Sequence, residues 1–139
     1  MIDFNYELEF TLDDEAVYAS WLTKVIESEN KKLGEINYIF CDDEYLLAIN
    51  VEYLNHDTLT DIISFDYSLG NGLNGDIFIS IERVRDNAND FNVSFNEELK
   101  RVMVHGILHY CGYKDKSDSD ELLMRQKEDE KIQLFHVEQ

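Results

Sequence analysis

His105 and His109 stand four positions apart, the spacing in this chain that most directly permits metal chemistry. On a helix, side chains at i and i+4 share a face with Cβ atoms roughly 5–6 Å apart. Two imidazoles so placed can meet one ion at about 2.0–2.1 Å each. Gly112 follows, and a glycine there can adopt the left-handed conformation that ends a helix and turns the chain back. That bend would bring Asp115 to the same ion. Three protein ligands with an open fourth position make a catalytic site, whereas structural zinc sites are closed. A coincidental histidine pair is the competing reading. Gly106 argues for a purpose, because a glycine inside a helix costs about 1 kcal/mol relative to alanine. Close backbone approach or room for a substrate would justify it. The zincin pattern is not met, since its general-base glutamate is replaced by Gly106.

These residues need a helix to carry them and a core to hold that helix. Ser94-Phe95-Asn96-Glu97 is a capping-box pattern, in which hydroxyl and carboxylate satisfy free backbone amides. The helix it opens should run through Leu99, Val102, Met103 and Ile107 and stop at Gly112. Another should start near Ser117 or Ser119 and carry Leu122, Leu123, Ile132 and Phe135. A short helix over Ile81 to Asp90 precedes both. Upstream, Ile2, Phe4, Tyr6, Leu8 and Phe10 alternate with mostly polar residues, the period of a half-buried strand. Asp13-Asp14-Glu15 opens a helix to about Glu29, its acids suiting the positive N-terminal end. Gly34 breaks the chain before a strand at Glu35–Cys41. Asp42-Asp43-Glu44 read as a turn leading into a strand-sized stretch, Tyr45–Val51. Ile62–Tyr67 and Asp76–Ile81 read as further strands, separated by a loop over residues 70–75. Strands first and helices later predict an α+β domain, with one mixed sheet of about four strands and helices packed on it. The metal site belongs to a helix in the C-terminal half.

The 139 residues fit one domain, 1–139, and the sequence holds no proline, repeat or Gly/Ser linker to divide it. No apolar run reaches the roughly 18 residues a membrane span needs, and the N-terminus shows no signal peptide. Cys41 and Cys111 make no disulfide framework, so reduced thiols in a cytoplasmic protein are expected. The net charge of −18 disfavours bulk attraction of polyanions. That charge is uneven: residues 1–82 carry −15 and residues 83–139 only −3. His56 and His136, Cys111, Trp21 and the acidic run Glu128-Asp129-Glu130 are read as loop, terminal, core or solvated residues.

The segment from His105 to Asp115 resembles the signature of the YbeY family, whose pattern is H-G-x-L-H-x-x-G-Y-D-H. Thr60-Asp61-Ile62-Ile63-Ser64-Phe65 resembles that family's T-D-V-L-S-F strand. Gly75-Asp76-Ile77-Phe78-Ile79 resembles its G-D-I-x-I strand, and Met124 with Glu128 its M-x-x-x-E. The resemblance runs from about Asn50 to Glu128. It implies a single-strand-specific, metal-dependent endoribonuclease acting in maturation of small-subunit ribosomal RNA and in ribosome quality control. Ribosomal RNA and ribosomal proteins are the implied partners. Two positions depart from the pattern. Asp115, preceded by Lys114, stands where the family has its third histidine, and Leu54 stands where it usually has an arginine.

His105, His109 and Asp115 are therefore expected both as metal ligands and as the catalytic set. Zn²⁺ is the first expectation, while a two-histidine, one-carboxylate set also suits Mn²⁺ or Fe²⁺. A divalent ion brings water ionisation near neutrality and stabilises charge on phosphoryl oxygens. Lys114, Lys116 and Arg101 are the substrate-binding candidates, with solvated loop lysines as the alternative reading of the first two. Asp61, Asp76 and Glu128 are candidate general bases, although the first two could equally cap strand ends and Glu128 is read rather as a group behind the ligands or on the surface. Two competing functions stay open. One is a noncatalytic ribosome-assembly factor stapled by its ion, and the other is a different metal hydrolase such as a peptidase.

Overall fold

A computed structural model describes residues 1–56 and 58–137, with side chains through residue 135. The order is β1 (Ile2–Tyr6), α1 (Glu15–Ser28), β2 (Lys32–Cys41), α2 (Asp43–Leu54), β3 (Ile62–Asp66) and β4 (Gly72–Ser80). The helices α3 (Ile81–Phe91), α4 (Phe95–Tyr110) and α5 (Asp118–Val137) follow. The four strands form one mixed sheet in the order β1-β2-β4-β3. The β1–β2 and β2–β4 pairs are parallel, and β3 runs antiparallel to β4. The α+β expectation with a four-stranded sheet is met.

Side-chain alternation sorts the two faces of the sheet. Ile36, Tyr38 and Phe40 of β2 and Ile77 and Ile79 of β4 enter the main core with Trp21, Leu22 and Ile26 of α1. Met103, Val104 and Ile107 of α4 and Ile132 and Phe135 of α5 complete it. The out-of-phase residues Ile63, Phe65 and Phe78 pack with Leu46 and Ile49 of α2 in a smaller cluster. Helix α4 lies against the sheet and is buried along most of its length. Two buried tyrosines fix its position: Tyr38 donates to the Met103 carbonyl at 2.7 Å, and Tyr110 to the Phe65 carbonyl at 2.9 Å.

Gly106 is explained by this docking. A Cβ there would meet Cδ1 of Ile77 at 3.0 Å and of Ile62 at 3.2 Å. The glycine lets helix and sheet approach closely, which is the first of the two reasons expected.

Three local expectations are corrected. Tyr45–Val51 is not a strand but the middle of α2, capped by Asp42, which accepts from Tyr45 N–H at 2.8 Å. Its buried residues, Leu46 and Asn50, are one turn apart, a helical face hidden by apolar residues all round. Residues 70–75 are not all loop: the turn is confined to Gly70 and Asn71, and β4 begins at Gly72, where it pairs with Lys32. Gly34 does not break the chain, because β2 runs through it with a register shift between Leu33 and Ile36.

Candidate metal centre

The C-terminus of α4 bends as Gly112 permits. Gly112 has φ +104°, its N–H donates to the His109 carbonyl at 3.0 Å, and Tyr113 N–H donates to the Leu108 carbonyl at 3.1 Å. This pair of bonds closes a Schellman motif. The reversal carries Asp115 back over the histidine face. Asp115 Oδ2 lies 3.1 Å from His105 Nε2 and 3.2 Å from His109 Nε2. The two rings sit 4.5 Å apart, nearly perpendicular. One ligand atom from each of His105, His109 and Asp115 falls within a common 4.8 Å.

The far side of each ring decides which nitrogen is available. His105 Nδ1 faces Glu128 Oε2 at 2.7 Å, and His109 Nδ1 faces the Tyr113 carbonyl at 3.0 Å. Both partners are acceptors, so a proton on each Nδ1 is satisfied there, and in that tautomer each Nε2 offers its lone pair to an ion. Two lone pairs and a carboxylate oxygen then point at one another. Such a cluster is repulsive unless protons or a cation lie between them. The donor set fits a divalent ion, and hard and borderline ions both accept it. Burial alone would lower the His105 pKa. The hydrogen bond to Glu128 and the charges of Glu128, Asp115 and Asp61 outweigh it and hold the value above the ordinary one.

Behind the ligands, Glu128 is 5% exposed and shared. It receives Arg101 at 2.9 Å besides His105, and Arg101 also pairs with Asp129 at 2.6 Å. Of the readings of Glu128, the group standing behind the ligands is the one the structure meets and the solvated helix face is corrected: it is a buried carboxylate that orients His105. Arg101 supports that clamp rather than standing free for a substrate.

The cluster opens on a cavity of about 450 Å³. Asp61 and Glu98 line it together with the three ligand residues. Burial raises the Asp61 pKa against the lowering pull of His105, and burial with the nearby Asp61 charge raises that of Glu98. Asp76 does not line the cavity; it accepts from Asn37 Nδ2 at 3.0 Å. Lys114 and Lys116 are exposed and also off the cavity wall. Leu54, 44% exposed at the end of α2, is likewise absent from the wall. His56 is exposed, while the His136 side chain lies outside the described residues. Sequence reasoning missed Glu98 and Arg125 on the wall. Glu98 was visible in principle, since positions 98, 101, 105 and 109 recur on one helical face.

The family profile described as Endoribonuclease YbeY matches residues 4–136. A Flavobacterium johnsoniae protein named Endoribonuclease YbeY is 75% identical over 139 residues, covering all of both chains. A Flavobacterium psychrophilum protein of the same name is 72% identical, covering 100% of this chain and 99% of its own. The solution structure of a Thermotoga maritima protein superposes with a TM-score of 0.69 at 23% identity. It covers 99% of this chain and 91% of that one, so the likeness there is of fold. Since the profile spans every strand and helix that builds the metal centre, this chain belongs to the YbeY endoribonuclease family.

Proposed function

We propose that the chain is a metal-dependent endoribonuclease that cuts single-stranded RNA in the cytoplasm, acting in maturation of small-subunit ribosomal RNA and ribosome quality control. One domain, 1–139, carries the activity. The observation supporting it most is the convergence of two imidazole nitrogens and one carboxylate oxygen on a single point of an open cavity wall. His105, His109 and Asp115 hold the ion, taken to be Zn²⁺, with Mn²⁺ or Fe²⁺ suited by the carboxylate. Bound there, a divalent ion supplies an ionised water near neutral pH and neutralises developing phosphoryl charge.

The chain's own groups do the rest. Glu128 and the Tyr113 carbonyl keep both Nδ1 atoms protonated, so that both Nε2 atoms remain ligands. The Asp61 carboxylate, raised by burial and facing the cavity, takes up or returns a proton during hydrolysis. The first 82 residues, with net charge −15, suit a basic ribosomal protein as partner.

The test is cleavage of ribosomal RNA by zinc-loaded protein. His105→Ala is expected to abolish cleavage and lower zinc content below one per chain, with the circular dichroism unchanged. Cleavage that survives this substitution at the wild-type rate sinks the reading.

A further inference from the structure

Two residues of the cavity wall outside the metal centre carry chemistry suited to a nucleic acid, an exposed ring and a cation unpaired among the described residues. Phe91, the last residue of α3, lines the cavity yet is 55% exposed. Burial in the core therefore does not explain an aromatic residue at this position. The second is Arg125 of α5. Five carboxylates line the cavity, from Asp61, Glu98, Asp115, Glu121 and Glu128, and Arg101 and Arg125 are the lining cations. Arg101 is committed to Glu128 and Asp129. Arg125 is exposed, and no carboxylate among the described residues lies within ion-pair distance of it. It acts on Glu98 only through space.

An RNA strand entering this cavity meets mostly negative charge. Each phosphate requires local compensation, and each unpaired base offers a π-face. Resting on the reading of this cavity as an RNA-cleaving site, we propose that Phe91 and Arg125 form its grip on single-stranded RNA. The Phe91 ring stacks on an unpaired base, and the Arg125 guanidinium holds a backbone phosphate. Within a duplex the base faces are covered by their neighbours, so Phe91 selects against paired RNA. Leu54 lies off the wall, and Arg125 supplies from α5 the free positive charge that no other lining residue offers.

Binding and cleavage of a single-stranded RNA oligonucleotide by the zinc-loaded protein test both parts. Phe91→Leu keeps apolar volume without the ring. It is expected to weaken affinity by roughly 5- to 150-fold, with the change in KM rather than kcat, and Phe91→Tyr to restore it. An abasic nucleotide scanned along the oligonucleotide should reveal one sensitive position in the wild type, lost in Phe91→Leu. Arg125→Gln should reduce the slope of log affinity against log salt by about 0.7. Wild-type cleavage with unchanged KM, abasic response and salt slope in the variants overturns the grip alone. A wild type that neither binds nor cuts the oligonucleotide overturns the nuclease reading and the grip together.

Discussion

Glu128, 5% exposed, serves two neighbours at the candidate metal centre, accepting from Arg101 and holding His105 Nδ1. Its charge keeps the His105 proton on Nδ1, and Arg101 prevents it from turning away. Glu128→Gln retains the shape but removes the charge. The amide can still accept from one partner, yet His105 loses the influence that raises its pKa. Zinc affinity is expected to fall roughly 10- to 100-fold, measured by competition with a chromophoric chelator. The convergence of His105, His109 and Asp115 was legible in the sequence, because helical spacing and a helix-ending glycine are local properties. The clamp was not, since Glu128 meets His105 only after α5 folds back across 23 positions. Arg101 shows the same limit: charge type was readable, but its commitment to Glu128 and Asp129 depends on how the helices pack.

At the scale of elements, α4 is held in place by space as much as by contacts. Gly75 of β4 faces the Tyr110 hydroxyl and the Phe65 carbonyl so closely that no Cβ can be added without displacing one of them. That hydroxyl donates to the carbonyls of both Phe65 and Asp76, tying the ligand-bearing helix to two strands. Gly75→Ala should cost about 3 kcal/mol in chemical denaturation, because backbone cannot yield as a side-chain tip does. Gly106→Ala should cost less: its neighbours are isoleucine termini, and alanine regains about 1 kcal/mol of helix propensity. Most elements were readable from periodicity and caps. Those misread have separate causes. In α2 the apolar residues surround the helix, so only the burial of Leu46 and Asn50 reveals its period. In residues 70–75 the glycines suggested a turn, whereas Gly75 is there to admit Tyr110.

Across the whole molecule, the two halves of the chain are joined by a largely buried ion pair. Lys131 of α5 lies 2.7 Å from Glu29 at the end of α1, and Glu29 also accepts from the Tyr113 hydroxyl at 2.7 Å. Burial raises the Glu29 pKa, but the hydrogen bonds from Lys131 and Tyr113 and the charges of Lys131 and Lys127 outweigh it, and the net value is lowered. Burial lowers that of Lys131, and its bonds to Glu29 and Glu130 raise it overall. The stabilisation from Glu29 is thus full above its unfolded value of 4.5 and is lost as pH falls through the lower folded value. That from Lys131 is full below 10.5 and is lost as pH rises through the higher folded value. Glu29→Gln should destabilise by about 3 kcal/mol between those limits, with the gap to wild type narrowing in acid. Thermal melts across pH check both the size and the direction.

The position of the ligands in the chain has a kinetic consequence. Two of them stand on a helix locked into the core, whereas Asp115 rides on the short stretch between Tyr110 and Asp118. An ion held by His105, His109 and Asp115 would sit between a fixed jaw and a hinged one. An ion can enter or leave by the swing of a single carboxylate, with no helix unwinding, so exchange should be much faster than global unfolding.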